Sequence, residues 1–527
     1  MTWMAGGSLA LSLVLILGLL ALIASQGLGF FWQDPLVQFE STSGATSLGE
    51  IWGSERVELA SGEVARTRVK IGNRDLYGLD FRWIDDAEIR TRSWPADAVV
   101  LERLEWGDFF GYFDRLETGG ETLREGDRIR AALPALLDLK RDQRAAIREL
   151  ERVRIGRVNS ALERLRLEKR SLELRSKSGQ EDSAAVAEID RSILERQAEY
   201  EALVVDLGTL RREFEAETLQ MRTADGRSKG LPVGHVLRVV YPNQMSAGQK
   251  VGLYLSRSWE FVAGEPRESN TEGGIFPAIF GTVMMVLLMS VAVVPFGVLA
   301  AVYMHEYARE GLLLRIVRIA VNNLAGVPSI VFGIFGLGFF VYFVGGGIDR
   351  LLYPEVLPTP TFGTGGILWA SLTLALLTVP VVIVATEEGL SAVPRALREG
   401  SLALGATRWE TIQRVVLPAT IPGILTGVIL AIGRAAGEVA PLMIVGMVKL
   451  APSLPFDGEF PFIHLERKFM HMGFHIYDLA FQSPNVEAVK PLVFAAAFLL
   501  LLVVLSTNIA AILLRNYLRR RYATSSV

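Results

Sequence analysis

Long uncharged runs alternate with charged, periodic stretches along this chain, and the alternation divides it. Five apolar runs lie between residues 271 and 515: Ile275 to Tyr303, Ile319 to Val344, Gly365 to Thr386, Ile421 to Val448 and Pro491 to Leu514. A sixth, Met4 to Phe31, is interrupted only by Ser8, Ser12, Ser25 and Gln26. At about 1.5 Å per residue, each is long enough to cross a hydrocarbon core of roughly 30 Å. The pattern predicts six transmembrane helices, one within residues 1–34 and five forming a core over residues 271–515. The small residues Ala21 to Ser25 allow a cleaved leader as a rival reading of the first run, but no Lys or Arg precedes it.

Residues 35–270 have another texture. Arg66 to Ile71, Gly78 to Trp83 and Ala98 to Leu104 are short runs broken by Gly and Asp, which predicts a β-rich domain. Over residues 133–222 the period becomes helical, with no proline after Pro134. Val186, Ile189, Ile193, Arg196, Tyr200, Leu203, Leu207, Leu210, Phe214, Glu217 and Met221 step by three and four, as in a coiled-coil seam. Leu136, Ile147 and Val158, with Leu139, Leu150 and Leu172, repeat less regularly and include an eleven-residue period. Ser176-Lys177-Ser178-Gly179-Gln180 is a turn signal between the halves. The expectation is an antiparallel coiled-coil hairpin with arms about 60 Å long. Val233 to Tyr241 and Lys250 to Val262 then return to strand-like patterning, so the hairpin is expected as an insertion within the β-rich domain.

Composition narrows the function classes. Half the 527 residues are apolar and the mean hydropathy is +0.32, as for a membrane protein or a mosaic containing one. A net charge of −3 gives no argument for nucleic acid. The absence of cysteine excludes disulfides, thiolate metal sites and cysteine nucleophiles, and the five histidines show no metal-ligand spacing. No Gly-x4-Gly-Lys-Ser/Thr loop occurs, so no P-loop chemistry, and no enzyme activity, is expected of this chain. Arginines cluster at 309–318, 395–414 and 515–521, whereas the alternate loops dilute their basic residues with acids. The positive-inside rule then predicts both termini and the 516–527 tail in the cytoplasm, and residues 35–270 outside.

Three stretches stand out as candidate sites. The first is the charged loop 387–420. Ala396 to Leu404 is helix-forming, Gly405 can end that helix left-handed, and Thr407 with Glu410 offers a capping box for a second short helix. Pro418 and Pro422 punctuate the entry into the next span. The second is Gly433 to Pro441, where Arg434 and Glu438, four apart, would share a helix face deep in an apolar span. Unpaired charges there cost about 2.5 kcal/mol or more each, so they pair or line a wet cavity, and a guanidinium suits an anionic substrate. The third is Asn322 to Gly333, where Asn323, Pro328 and Ser329 either line a path or mark a kinked, packed helix.

The spacing of Glu399-Gly400-Ser401, Gly405 and Val415-x-Leu417-Pro418 resembles the EAA loop of ATP-binding-cassette importer permeases, which docks into a cleft of the cytoplasmic ATPase. Gly400-Ser401 stands where the family has paired alanines, and Val415 where it usually has isoleucine. With Asn323 to Gly333, Gly437 to Leu442 and Gly273-Gly274-Ile275, the likeness sharpens to the PstA-type permease of phosphate importers and covers roughly residues 270–515. The resemblance implies an all-α polytopic permease core in the bacterial inner membrane, among lipid, translocating phosphate without a cofactor of its own. It implies ATP-Mg bound in a PstB-type ATPase dimer, a PstC-type second permease and a periplasmic PstS-type binding protein. Carried over, Glu399, Gly400, Ser401, Gly405, Leu417 and Pro418 contact the ATPase; Arg434, Glu438, Asn323, Pro328 and Ser329 belong to the transport path. The 35–270 insertion departs from the compact family pattern, and the sequence names no partner for its hairpin. A permease for molybdate or sulfate, or an envelope scaffold, are the alternative readings.

Overall fold

The apolar run at the head of the chain forms one helix, α1 (Thr2–Gly29), which leads into a separate folded unit. The computed structural model describes residues 2–59, 62–176, 183–458, 460–483 and 486–523. Phe31–Glu260 is one compact unit; Met1–Phe30 together with Phe261–Val527 is the other.

In the Phe31–Glu260 unit, β1 (Val37–Ser41), β2 (Thr46–Leu59), β3 (Gly62–Lys70), β4 (Phe81–Asp85) and β5 (Ile89–Ser93) form an antiparallel sheet ordered β4-β3-β2-β1-β5. The single turn α2 (Arg74–Tyr77) lies between β3 and β4. A second antiparallel sheet contains β6 (Val99–Arg103), β7 (Phe109–Thr118), β8 (Glu121–Leu123), β9 (Thr218–Arg222), β10 (Ser228–Pro232) and β11 (Val236–Val240). Its order is β10-β9-β7-β6-β11, with β8 beside β7. Between β8 and β9 the chain leaves as α3 (Gly126–Glu149), α4 (Gly156–Ser176) and α5 (Ser183–Glu215), a wider turn joining α3 to α4. Strands before and after the helices therefore complete one sheet, whose core joins Leu101, Phe109 and Leu116 to Leu219, Met221 and the α3 residues Ile129 and Leu133.

Val158 and Leu162 of α4 pack with Leu203 of α5, and Leu150 of the wider turn joins the same cluster. Lys169 with Asp190 at 2.5 Å and Glu151 with Arg211 at 2.6 Å set an antiparallel register. The helical stretch differs from the sequence expectation at both ends. It begins at Gly126 rather than Leu133, and it stops at Glu215, so Glu217 lies beyond it and Met221 belongs to β9. Leu219 and Met221, two apart and fully buried, obey the period of a strand that the heptad count had absorbed. Arg196 and Tyr200, both counted in the seam, are exposed. Of the expected turn, Lys177 to Gln180 lie outside the described residues.

Lys250 to Val262 is not a strand but part of helix α6 (Ala247–Ala263). Val251, Leu253 and Leu255 alternate as in a strand, yet Leu253 is buried while Val251 and Leu255 face outward. The two-residue strands β12 (Pro266–Arg267) and β13 (Glu272–Gly273) then lead to α7 (Phe276–Val302). The remaining helices are α8 (Leu312–Leu324), α9 (Ser329–Phe335), α10 (Gly346–Leu352), α11 (Ile367–Ser391), α12 (Arg395–Ala403), α13 (Arg408–Thr411), α14 (Leu417–Ala435), α15 (Ala440–Val445), α16 (Met472–Tyr477) and α17 (Val486–Ala523).

Six continuous helical stretches among the described residues are long and apolar enough to cross a membrane: Trp3–Gly29, Phe276–Tyr307, Ser329–Leu352, Ile367–Ser391, Arg408–Ala435 and Val486–Leu518. Of the most apolar window of α11, 67% is buried, against 0% for α1 and α17, so α11 is central and those two are peripheral. Around α11 the core gathers Met285, Met289 and Val293 of α7, Phe332 of α9, Ala431 and Ala435 of α14 and Leu442 of α15.

Two spans have other boundaries than the hydropathy pattern predicts. The run Ile319 to Val344 is broken: α8 ends at Leu324, Gly326 and Val327 turn back onto it, and the span starts at Ser329. Proline has no N–H and disfavours helix at the residue before it, so Pro328 opens a helix here instead of kinking one. The run Ile421 to Val448 is broken as well, because the span ends at Ala435 and residues 436–439 form a turn before α15. At the other end, α17 stays helical to Ala523, well into the expected tail.

Candidate functional site

Between α11 and α14 the chain builds a knob. Helix α12 stops where Gly405 takes φ +87°, a conformation that disfavours any side chain although nothing crowds the position. Thr407 then closes a capping box: its hydroxyl accepts from the Glu410 N–H at 3.3 Å, and the Glu410 carboxylate accepts from the Thr407 N–H at 2.9 Å. The helix that starts there is not a separate short one, because α13 runs through one wider turn directly into α14. No residue of α12 is buried, and Leu404 beyond it is 91% exposed. Glu399 and Gly400 lie on this exposed surface, while the Ser401 and Thr411 hydroxyls bond each other at 2.9 Å across the turn. Leu417 packs with Ile412, Val416 and Leu390 beneath the knob, and Pro418 sits in the first turn of α14.

The side chain that ties the knob to the membrane helices is Arg398, which the sequence reading passed over. It donates to the Leu390 carbonyl at the end of α11 at 2.6 Å and pairs with Glu306, just past α7, at 3.1 Å. Glu306 is joined to His305 at 3.0 Å, and His305 reaches the Ser391 hydroxyl at 3.1 Å. A carboxylate directly after an apolar run, with an arginine beside Glu399, was the available signal. Pairing them needs the tertiary fold.

The second group lies where two helices break. Arg434 is in the last turn of α14 and Glu438 in the turn after it, so the two do not share a helix face; the turn itself brings Arg434 Nε within 3.6 Å of a Glu438 oxygen. Their side chains are 32% and 22% exposed, within an otherwise apolar surround. The Asn323 stretch comes to the same place. Leu324 and Val327 pack against the cluster that holds Ala435, Ala436 and Leu442. Helix α9 lies so close to α15 that a Cβ at Gly333 would stand 2.7 Å from the Pro441 Cα. Asn323 itself is exposed near the end of α8, Pro328 precedes α9 and Ser329 begins it. The structure thus joins the Asn323 and Arg434 stretches through their apolar neighbours and keeps the knob residues apart, on a cluster of their own.

Further polar groups were not singled out from sequence. Asp349, fully buried, accepts the N–H groups of Phe362 at 3.0 Å and Gly363 at 2.6 Å and so ends a loop. Beside α7, His471, His475 and Asp478 are buried, and Lys449 pairs with Asp478 at 3.0 Å. No cluster among the described residues has the make-up of a metal site.

Six helices long and apolar enough to cross a membrane carry an exposed knob between two of them and a charged pair at a helix break. The family model described as "binding-protein-dependent transport system inner membrane component" matches residues 293–523. The chain is 31% identical over 261 residues to the probable ABC transporter permease protein YqgI of Bacillus subtilis, taking in 48% of this chain and 82% of that one. With the phosphate transport system permease protein PstA of Yersinia pestis it shares 34% identity over 252 residues, 48% of this chain and 75% of the relative. It spans 59% of the length of the probable permease YqgH of Bacillus subtilis, at 32% identity over 194 residues and 36% of this chain. The chain therefore belongs to the family of inner membrane components of binding-protein-dependent transport systems, as a PstA-type ATP-binding-cassette permease, and is a multi-pass membrane protein. Residues 31–260 lie outside the stretch matched by the family model.

Proposed function

We propose that this chain is one permease subunit of an importer that carries inorganic phosphate across the bacterial inner membrane, driven by ATP hydrolysis in a separate ATPase dimer. The observation that carries the reading is the Arg434–Glu438 pair at 3.6 Å, set at a helix break within the apolar core. Glu438 neutralises the guanidinium while the path is empty, and a phosphate oxyanion competes for the same N–H groups, which its geometry suits. The turn at residues 436–439 frees backbone groups beside the pair, and Asn323 and Ser329 supply polar groups at the neighbouring break.

In this reading both termini and the knob face the cytoplasm, and residues 31–260 face outward. Glu399, Gly400, Ser401 and Gly405 dock into an ATPase cleft, with Leu417 and Pro418 fixing the base. A PstC-type permease completes the path, and a PstS-type protein delivers phosphate from outside. Helices α4 and α5 act as a coiled-coil arm toward a further partner.

The test is labelled-phosphate uptake in cells lacking their own permease, complemented by this chain or its Arg434→Gln variant at equal membrane levels, with the partner subunits verified. Uptake by the parent and its loss in the variant supports both substrate and site. Equal uptake makes Arg434 a packing residue. No uptake by either overturns phosphate and moves the test to molybdate and sulfate.

A further inference from the structure

The span Ser329–Leu352 carries a groove on its own surface. Its stretch Gly336–Gly345 is wound as a wider, π-type helix, and a cavity of about 780 Å³ is lined entirely by residues between Gly338 and Leu352. A Cβ added at Gly338 or Gly347 would meet nothing within 4 Å, so no neighbouring element requires glycine there. The two missing side chains leave a trough open beside Tyr342, Phe343 and Leu351, all of them exposed. Phe343, Gly347 and Arg350 follow steps of four and three and so share one face.

The groove is charged at one end only. Arg350 is exposed at its rim, in the last turn of the span, and makes no ion pair among the described residues. The neighbouring acid is turned away from it, since Asp349 is fully buried and accepts the N–H groups of Phe362 and Gly363. A guanidinium at the end of a membrane span attracts an anion, and a phosphate group suits its fork. Gly338 and Arg350 are twelve residues apart, at most about 18 Å along the axis, which is close to half of a hydrocarbon core of roughly 30 Å. The groove is therefore one leaflet deep.

We propose that this groove holds one anionic phospholipid, its headgroup phosphate on Arg350 and an acyl chain laid along Gly347 and Gly338. The occupant is a lipid because the groove has the polarity of an amphiphile, one cation followed by apolar and aromatic walls, and the length of a single leaflet. A free anion would be served by Arg350 alone and would leave the trough empty. The site lies on the surface of one span and does not depend on what the permease transports.

The chain contains no cysteine, so a benzophenone maleimide reads a single introduced position without background. Phe343→Cys is labelled in the full chain, in membranes of bacterial cells that express it, and irradiated; the adduct masses give the ratio of phosphatidylglycerol to phosphatidylethanolamine. Val291→Cys, on the exposed face of α7, is the reference for bulk lipid. The expected result is phosphatidylglycerol enriched about fivefold at Phe343→Cys over Val291→Cys, with the enrichment lost when Arg350→Gln removes the cation and when Gly347→Leu fills the trough with Arg350 in place. Equal ratios at the two labelled positions overturn the proposal by making the lipid there unselected, and enrichment that survives either variant overturns it as well. An adduct with a protein chain at Phe343→Cys overturns it in favour of a subunit contact. Loss of the enrichment on adding inorganic phosphate at constant ionic strength overturns it in favour of a free-anion site. Lipid adducts at Val291→Cys keep all these outcomes separate from a failure of the membrane reading itself.

Discussion

Helices α6 and α12 present opposite faces. Helix α12 mixes charge with apolar bulk, exposing Arg395, Glu399, Leu397 and Leu402, and is lashed down by a single arginine. Helix α6 turns every charge inward and exposes only uncharged residues. A mixed face can grip a protein cleft by ion pairs and release it, whereas an uncharged face has no such specific grip. The two helices thus differ in what they could offer a partner, α12 both charge and apolar bulk, α6 no charge at all.

Changes on the knob give the largest expected effects. Glu399→Lys reverses an exposed charge without touching a packed residue, and abolishes phosphate uptake at unchanged membrane level if the knob docks an ATPase. Retained uptake would break the contrast at once. Arg398→Ala removes the lashing instead of the docking face and leaves a mostly buried Glu306 with His305 as its partner. A lost charged hydrogen bond of this kind is worth about 1.5–3 kcal/mol, so uptake falls roughly ten- to hundredfold, with Arg398→Lys recovering part of it.

Smaller effects sharpen the comparison. Thr407→Ala removes one side of the capping box, costs about 1 kcal/mol and raises amide exchange at Arg408–Thr411 about fivefold, with uptake largely kept. Acid acts near the start of α7, where the N–H of Met472 is bonded to Thr282 at 2.9 Å. Burial holds His471 and His475 down at about 4, so both are neutral in the fold. The unfolded chain takes up protons first as pH falls, so stability present above about 6.5 drains away between there and about 4. Parallel unfolding curves of the parent and His475→Gln check this: the variant shows the shallower decline.

What could be read from sequence follows the range of each interaction. Six spans were legible because a lipid-crossing helix needs some twenty apolar residues in a row. The left-handed Gly405 and the Thr407–Glu410 box were legible because capping chemistry is complete within four residues. The breaks after Leu324 and Ala435 were hidden by hydropathy, which counts apolar atoms and not which N–H finds a carbonyl. Pro328 was visible in the third run, but whether it kinks a helix or opens one depends on the fit of Gly333 against Pro441. Arg434 and Glu438 were found for a partly wrong reason, since a turn and not a helical repeat brings them together. Helix α6 was missed because its reversed faces imitate the alternation of a strand.

From the capping box to the charged pair the chain is one rod. Arg408–Ala435 is helical throughout, so its 28 residues span about 42 Å, with Thr407 at one tip and Arg434 in the final turn at the other. A rod that long, packed along α11, would act as a lever if the knob were tilted. A few degrees at one end would displace the other by ångströms, on the scale of the 3.6 Å gap between Arg434 and Glu438, and the break after Ala435 is where the rod ends and α15 begins anew.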